Sequence, residues 1–278
     1  GGELGELIRT FDWAQSPLGP AAEWPRSLKT AVRIMLTSRQ PIWIGWGRDL
    51  VYLYNDPYKS IIGGKHPWAL GRSTAEVWRE ICTDIGPMLS KAMGGQEGTY
   101  VEKQLLVMER NGYPEETYYT FSYSPIPDDD GAPGGIICAN TEDTAKVVGE
   151  RQMALLAGLA AGTAHSRSWR DVGSCAADAL AANPHDLVFA LVYIEETRDG
   201  PMVLAGSAGI AASHPAAPAR IEDRSTCVWA IEAALVASDM LVQELGADRV
   251  GAPFPKGPWR EPAARAAILP IVVARGQG

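Results

Sequence analysis

The sequence predicts an α+β chain built in two parts, and three observations carry that expectation. Residues 41–55 and 104–139 hold β-prone runs dense in aromatic and hydroxyl residues, divided by turn signals. Between and after them lie stretches whose apolar residues recur at helical spacing. A length of 278 residues, with 46% hydrophobic content, favours two domains and supplies enough apolar side chains for two cores.

The chain opens with a short amphipathic piece, Glu3 to Trp13, broken by Ser16-Pro17-Leu18-Gly19-Pro20. A helix follows from Ser27 to about Ser38, with Leu28, Val32, Met35 and Leu36 on one face. Pro41 to Gly47 and Leu50 to Asn55 read as a hairpin turned at Gly47-Arg48-Asp49. Asn55-Asp56-Pro57-Tyr58 starts a short helix, with Asn as a cap and Pro in the first turn. Ser73 and Glu76 have the spacing of a capping box, opening a helix that carries Val77, Trp78 and Ile81. A further helical piece runs from Ile85 to Met93.

Gln104 to Met108 and Glu116 to Ser124 are strands on either side of an Asn111-Gly112 turn. A Pro/Gly-rich loop leads to a third strand, Gly135 to Ala139, and Thr141-Glu142-Asp143-Thr144 opens a helix that runs from Ala145 to about Ala160. On that helix Val148, Leu155 and Leu159 fall on one stripe, with Met153 and Leu156 beside it, which permits pairing with a second copy. The second part reads as an Ala-rich helix (Ser168 to Ala182), a hairpin (Leu187 to Glu195 and Pro201 to Gly206, turned at Thr197 to Gly200), a helix (Ser225 to Ala237), a loop (Arg249 to Gly257) and a strand (Ala267 to Ala274). The chain begins Gly1-Gly2 rather than with Met and stops just after that strand, so it reads as a fragment.

A formal net charge of −8 argues against a nucleic-acid surface. No apolar segment is long enough to span a bilayer, and no secretory leader is present. Cys82, Cys138, Cys175 and Cys227 are too scattered for a zinc ribbon or a disulfide framework, which points to a reducing, cytoplasmic setting. The four histidines are too dispersed for a metal cluster. No catalytic constellation emerges: there is neither a phosphate-binding loop nor a nucleophile elbow. His165 is followed by Ser166, where a phosphoacceptor histidine would be followed by an acid.

The blocks NDPYKSIIGGKHPWALGRSTAEVW and ERNGYPEETYYTFSYSPIPDDDGAPGGIICANTEDT, with the leader FDWAQSPLGPAAEWPRSLKTAVRIMLTSRQPIWIGWG, resemble the PAS type found at the N-terminus of bacterial hybrid sensor histidine kinases. The second part looks like a GAF domain. The resemblance implies a helical leader (1–40), a PAS domain with a five-stranded antiparallel sheet and flanking helices (41–144), a signalling helix (145–164) and a C-terminally truncated GAF-like domain (165–278). It implies a cytoplasmic input module of a two-component phosphorelay, homodimeric through its helices, with kinase domains downstream in the parent chain and an unidentified small ligand. The alternative is a ligand-free dimerisation or docking scaffold on the same folds.

PAS folds keep a cavity between sheet and helices. Trp43, Tyr54, Asn55, Tyr58, Trp78 and Phe121 are the candidate lining, with Trp46, Tyr119 and Tyr123 beside them; each has the alternative of filling a solid core. Asn55 divides equally between ligand contact and helix cap. Tyr119, Phe121 and Tyr123 alternate with Thr120, Ser122 and Ser124, so one set faces inward. Asp143 and Thr144 resemble the acid-hydroxyl end of the PAS core, where strand passes to signalling helix, and are also good capping residues. No cofactor signature is found. His66 lies in a Gly-rich loop rather than on a haem-binding helix, Cys82 lacks the flavin-binding Asn-Cys-Arg context, and neither Cys175 nor Cys227 neighbours a histidine as bilin attachment would want.

Overall fold

The aromatic-rich runs of the first part become five strands of one antiparallel sheet: β1 (Ile42–Trp46), β2 (Val51–Tyr54), β3 (Thr99–Met108), β4 (Glu115–Pro127) and β5 (Pro133–Glu142). Their order across the sheet is β2-β1-β5-β4-β3. The computed structural model describes residues 2–95, 97–197, 200–246 and 250–271. Two compact units emerge, Gly1–Gly149 and Glu150–Gly278.

In the first unit, α1 (Gly2–Thr10) and α2 (Arg26–Thr37) precede the sheet. The short helices α3 (Lys59–Ile62) and α4 (Thr74–Val77) and the longer α5 (Cys82–Met93) lie between β2 and β3. The α2 face expected from the sequence is the buried one: Leu28, Val32 and Met35 are enclosed, and Leu36 packs at their margin. Across the sheet, Trp43 stands opposite Tyr54 on one side and Cys138 on the other, and Cys138 faces Tyr123. Tyr119, Phe121 and Tyr123 are buried, while Thr120, Ser122 and Ser124 are half-buried. The aromatic set therefore faces the helical layer. Gly112, at φ 86°, gives the β3–β4 turn the left-handed backbone that a β-carbon would oppose.

Several boundaries differ from the sequence expectation. Strand β3 begins at Thr99 rather than Gln104. A bulge between Val101 and Gln104, with Lys103 at φ 49°, breaks the two-residue alternation that marks a strand. Thr141 and Glu142 belong to β5, opposite Thr120 and Tyr119, rather than to the helix. Helix α4 ends at Val77, leaving Trp78 and Ile81 outside it. Ser73 Oγ accepts from Glu76 N (3.2 Å) as expected, but the Glu76 carboxylate pairs with Arg72. Helix α5 starts at Cys82, three residues before Ile85.

Helix α6 (Thr144–Thr163) leaves β5 and continues into the second unit. That unit contains α7 (Trp169–Ala181), capped by Ser168 Oγ accepting from Asp171 N (3.1 Å), and a three-stranded sheet of β6 (Ala190–Glu195), β7 (Met202–Ala208) and β8 (Arg220–Ile221). Then come α8 (Ile231–Ala237) and a two-stranded ribbon of β9 (Leu241–Glu244) and β10 (Arg265–Ile268). Helix α7 seats closely on the sheet at Gly206, where a β-carbon would lie 2.3 Å from Gly173 O.

The helix expected from Ser225 covers only Ile231–Ala237. Residues 225–230 are held by side-chain bonds instead, two local and one from farther along the chain: Asp223 accepts from Ser225 N (2.8 Å), Cys227 Sγ from Trp229 N (3.2 Å) and Gln243 Oε1 from Ala230 N (2.9 Å). The strand expected at Leu187 starts at Ala190, and β10 starts two residues before Ala267. Arg198 and Asp199 of the expected turn, Arg249 of the expected loop, and residues 272–274 of the last expected strand lie outside the described residues.

Candidate functional site

The space between helical layer and sheet in the first unit is about 30 Å³. It is bounded chiefly by Trp43, Tyr58, Trp78, Phe121, Tyr123 and Asn140. That volume holds about one water molecule. Four of the six candidate lining residues therefore meet around it (Trp43, Tyr58, Trp78 and Phe121), with Tyr119 and Tyr123 also on the wall.

The aromatic rings pack on one another rather than around a void. Trp43 stacks on Tyr52 with centroids 4.7 Å apart, and Phe121 lies 4.9 Å from Tyr123. Their polar ends are satisfied internally: the Tyr52 hydroxyl accepts from Trp78 Nε1 (3.0 Å) and donates to the Tyr58 hydroxyl (2.8 Å). Burial pushes both phenols well above their ordinary range, so they stay neutral. Cys138, fully enclosed behind this wall, has its thiol pushed up by the same cause.

Tyr54 and Asn55 lie apart from this space. The Asn55 side chain, 1% exposed, donates to Met35 O (3.0 Å) and Gln40 O (2.8 Å) and accepts from Ile42 N (3.0 Å) and Tyr58 N (3.2 Å). It caps the turn at Asp56–Tyr58 and ties that turn to the end of α2 and the start of β1. The Tyr54 hydroxyl meets His66 Nδ1 (2.8 Å), and His66 Nε2 meets Glu3 Oε1 (2.8 Å). A carboxylate only accepts, so Nε2 carries the hydrogen. Trp46 packs against Gly134 and Gly135 on the other face of the sheet.

At the exit from the sheet, Asp143 and Thr144 are stitched to β4. Thr120 Oγ1 donates to Asp143 Oδ2 (2.6 Å), and Asp143 N donates to Tyr118 O (2.8 Å). Tyr118 N donates to Thr144 Oγ1 (3.0 Å), which donates in turn to Glu142 Oε1 (3.1 Å). The main-chain carbonyl of Asp143 accepts the first helical bond, from Val147 N (2.9 Å). Along α6, Val148, Leu155 and Leu159 are half-buried, while Met153 and Leu156 are 67% and 61% exposed. In the second unit a groove of about 430 Å³ runs between α6 and α7, lined by Ala154, Leu155, Gly158, Cys175, Ala179 and Asn183.

The sequence did not single out Tyr52, Asn140 or Arg110. Tyr52 shares its inward face with Tyr54 at a two-residue spacing, which was a usable signal. Asn140 lies within a mostly apolar strand and Arg110 within a turn, and neither spacing marks a site. Among the described residues no group of three or more His, Cys, Asp or Glu is placed to hold a metal, and no helix is long and apolar enough to cross a membrane.

No protein-family model matches the chain, and no curated protein matches it. Solved structures similar to it include PAS and light-oxygen-voltage domains. The PAS domain of Bordetella pertussis BvgS is 18% identical, with a TM-score of 0.32, over 47% of this chain and 96% of that one. A sensory box sensor histidine kinase from Vibrio cholerae is 15% identical, with a TM-score of 0.30, over 41% and 87%. A phage VqmA–DPO complex is 17% identical, with a TM-score of 0.35, over 47% of this chain and 58% of that one.

Proposed function

We propose that this chain is the cytoplasmic sensory input region of a two-component histidine kinase. Its first unit is a PAS domain, its second is GAF-like, and α6 carries the signal toward kinase domains of the parent chain. The observation that supports this reading best is the joint between β5 and α6. Asp143 and Thr144 are bonded to β4, the strand whose opposite face walls the aromatic core, so a shift of that core is felt where the helix begins. Two copies pair through α6, using Met153 and Leu156 beside the Val148, Leu155 and Leu159 stripe. A ligand or partner acts by binding one arrangement of the core more tightly than another.

A second reading has its own support. A space of about 30 Å³, without Tyr54 or Asn55 on its wall, suits a ligand-free scaffold whose core is already filled. Native mass spectrometry separates the two. A species of twice the 29.8 kDa chain mass that releases a small molecule on denaturation supports ligand sensing. A dimer with nothing bound supports the scaffold, and a monomer with nothing bound contradicts both.

A further inference from the structure

The turn between β3 and β4 touches three parts of the first unit through Glu109, Arg110 and Asn111. Arg110 Nη1 donates to the Tyr119 hydroxyl on the cavity wall (3.1 Å) and to Glu142 Oε1 at the end of β5 (3.4 Å). Its Nε and Nη2 donate to Glu115 Oε2 (3.2 and 2.9 Å). The Arg110 side chain is 13% exposed. The same turn grips the helical layer. Gly64 N donates to Arg110 O (3.0 Å) and Asn111 Oδ1 (3.3 Å), and Glu109 N donates to Glu80 Oε1 (3.0 Å). Glu80 in turn holds Lys65 (2.6 Å).

A space that holds one water cannot admit a larger guest unless the helical layer and the sheet separate. Gly64 is fastened to the turn by a main-chain bond and Glu80 by its carboxylate, so the turn travels with that layer. Arg110 has a planar fork of donors, and holds Tyr119 and Glu142 from one nitrogen. Moving its backbone loosens one of those bonds or drags Glu142, which accepts the bond from Thr144 at the first residue of α6.

We propose that Arg110 is a positioning residue that couples the spacing of the helical layer around the aromatic core to the first turn of α6, by way of Glu142 and Thr144. This rests on the sensory reading above and names the route by which the core would be read. Hydrogen exchange of the Val147 and Val148 amides in the full chain tests it, with Phe121→Leu as the change in the core. In the otherwise unaltered chain Phe121→Leu should accelerate exchange there by about tenfold, and in an Arg110→Ala background by less than about threefold. Glu142→Gln, which keeps the side chain's shape and removes its charge, should reduce the effect in the same direction and guards against a fold lost with Arg110. Equal acceleration with and without Arg110 and Glu142 overturns the route while leaving the sensory reading intact. No acceleration in any background overturns both.

Discussion

Asn55 shows what one buried amide can do in this fold. Its carboxamide joins three chain segments through main-chain groups of Met35, Gln40, Ile42 and Tyr58, and a methyl group would leave several of those groups without a partner. Each such orphan costs about 1–3 kcal/mol, so Asn55→Ala should lower stability by about 3 kcal/mol, measured by urea unfolding. A loss below about 1 kcal/mol would mean that water replaces the amide. Glu80 gives a pH-dependent counterpart. Burial alone would raise its carboxyl, but Lys65 and the Glu109 amide outweigh burial and hold it below the usual range. A depressed folded-state value means that the stabilisation is complete above the unfolded-state value, about 4.3, and is lost as pH falls through the folded one. The urea midpoint should therefore drop on acidification below about pH 4.3, and Glu80→Gln should flatten that limb. An unchanged acid limb in the variant would assign the loss to other carboxyls.

At the scale of elements, long periodic stretches were legible and interrupted ones were not. The buried face of α2 followed from spacing, because burial on one side imposes a period; in β4 spacing gave the alternation but not that the aromatic set turns inward. The start of β3 was hidden by its bulge, which sets Glu102 and Lys103 together against Thr120 and so breaks the alternation. Residues 225–230 looked helical because their competing bonds come partly from Gln243, distant in sequence. Helix caps were readable from the residues themselves: Ser168→Ala should cost about 1 kcal/mol in urea unfolding, through loss of the bond from Asp171 N. For α6 the prediction concerns association. Leu156→Asp places a charge on an exposed apolar position, so it should weaken self-association at least about tenfold in sedimentation equilibrium, with little change in unfolding. If association were unaffected, pairing would have to use another face.

For the whole molecule, residue types around the core were more legible than their geometry. The sequence named Trp43, Tyr58, Trp78 and Phe121 as possible lining, and they do meet. It gave no hint that their rings would close the space to about 30 Å³, which depends on rotamers and on the Tyr52–Tyr58–Trp78 bonds. Nor did it set Tyr54 and Asn55 aside from that space, since a side chain's partners across the sheet are not written in its neighbours. In the proposed sensory reading, the packing of this core is read at α6. The most direct measurement is the distance between spin labels introduced at Gln152 of two copies through a keto-bearing amino acid. Phe121→Leu should shift that distance distribution, and the shift should vanish when Asp143→Ala and Thr144→Val cut the joint to β4. An absence of any distance between copies, or identical distributions with and without Phe121→Leu, would contradict the account.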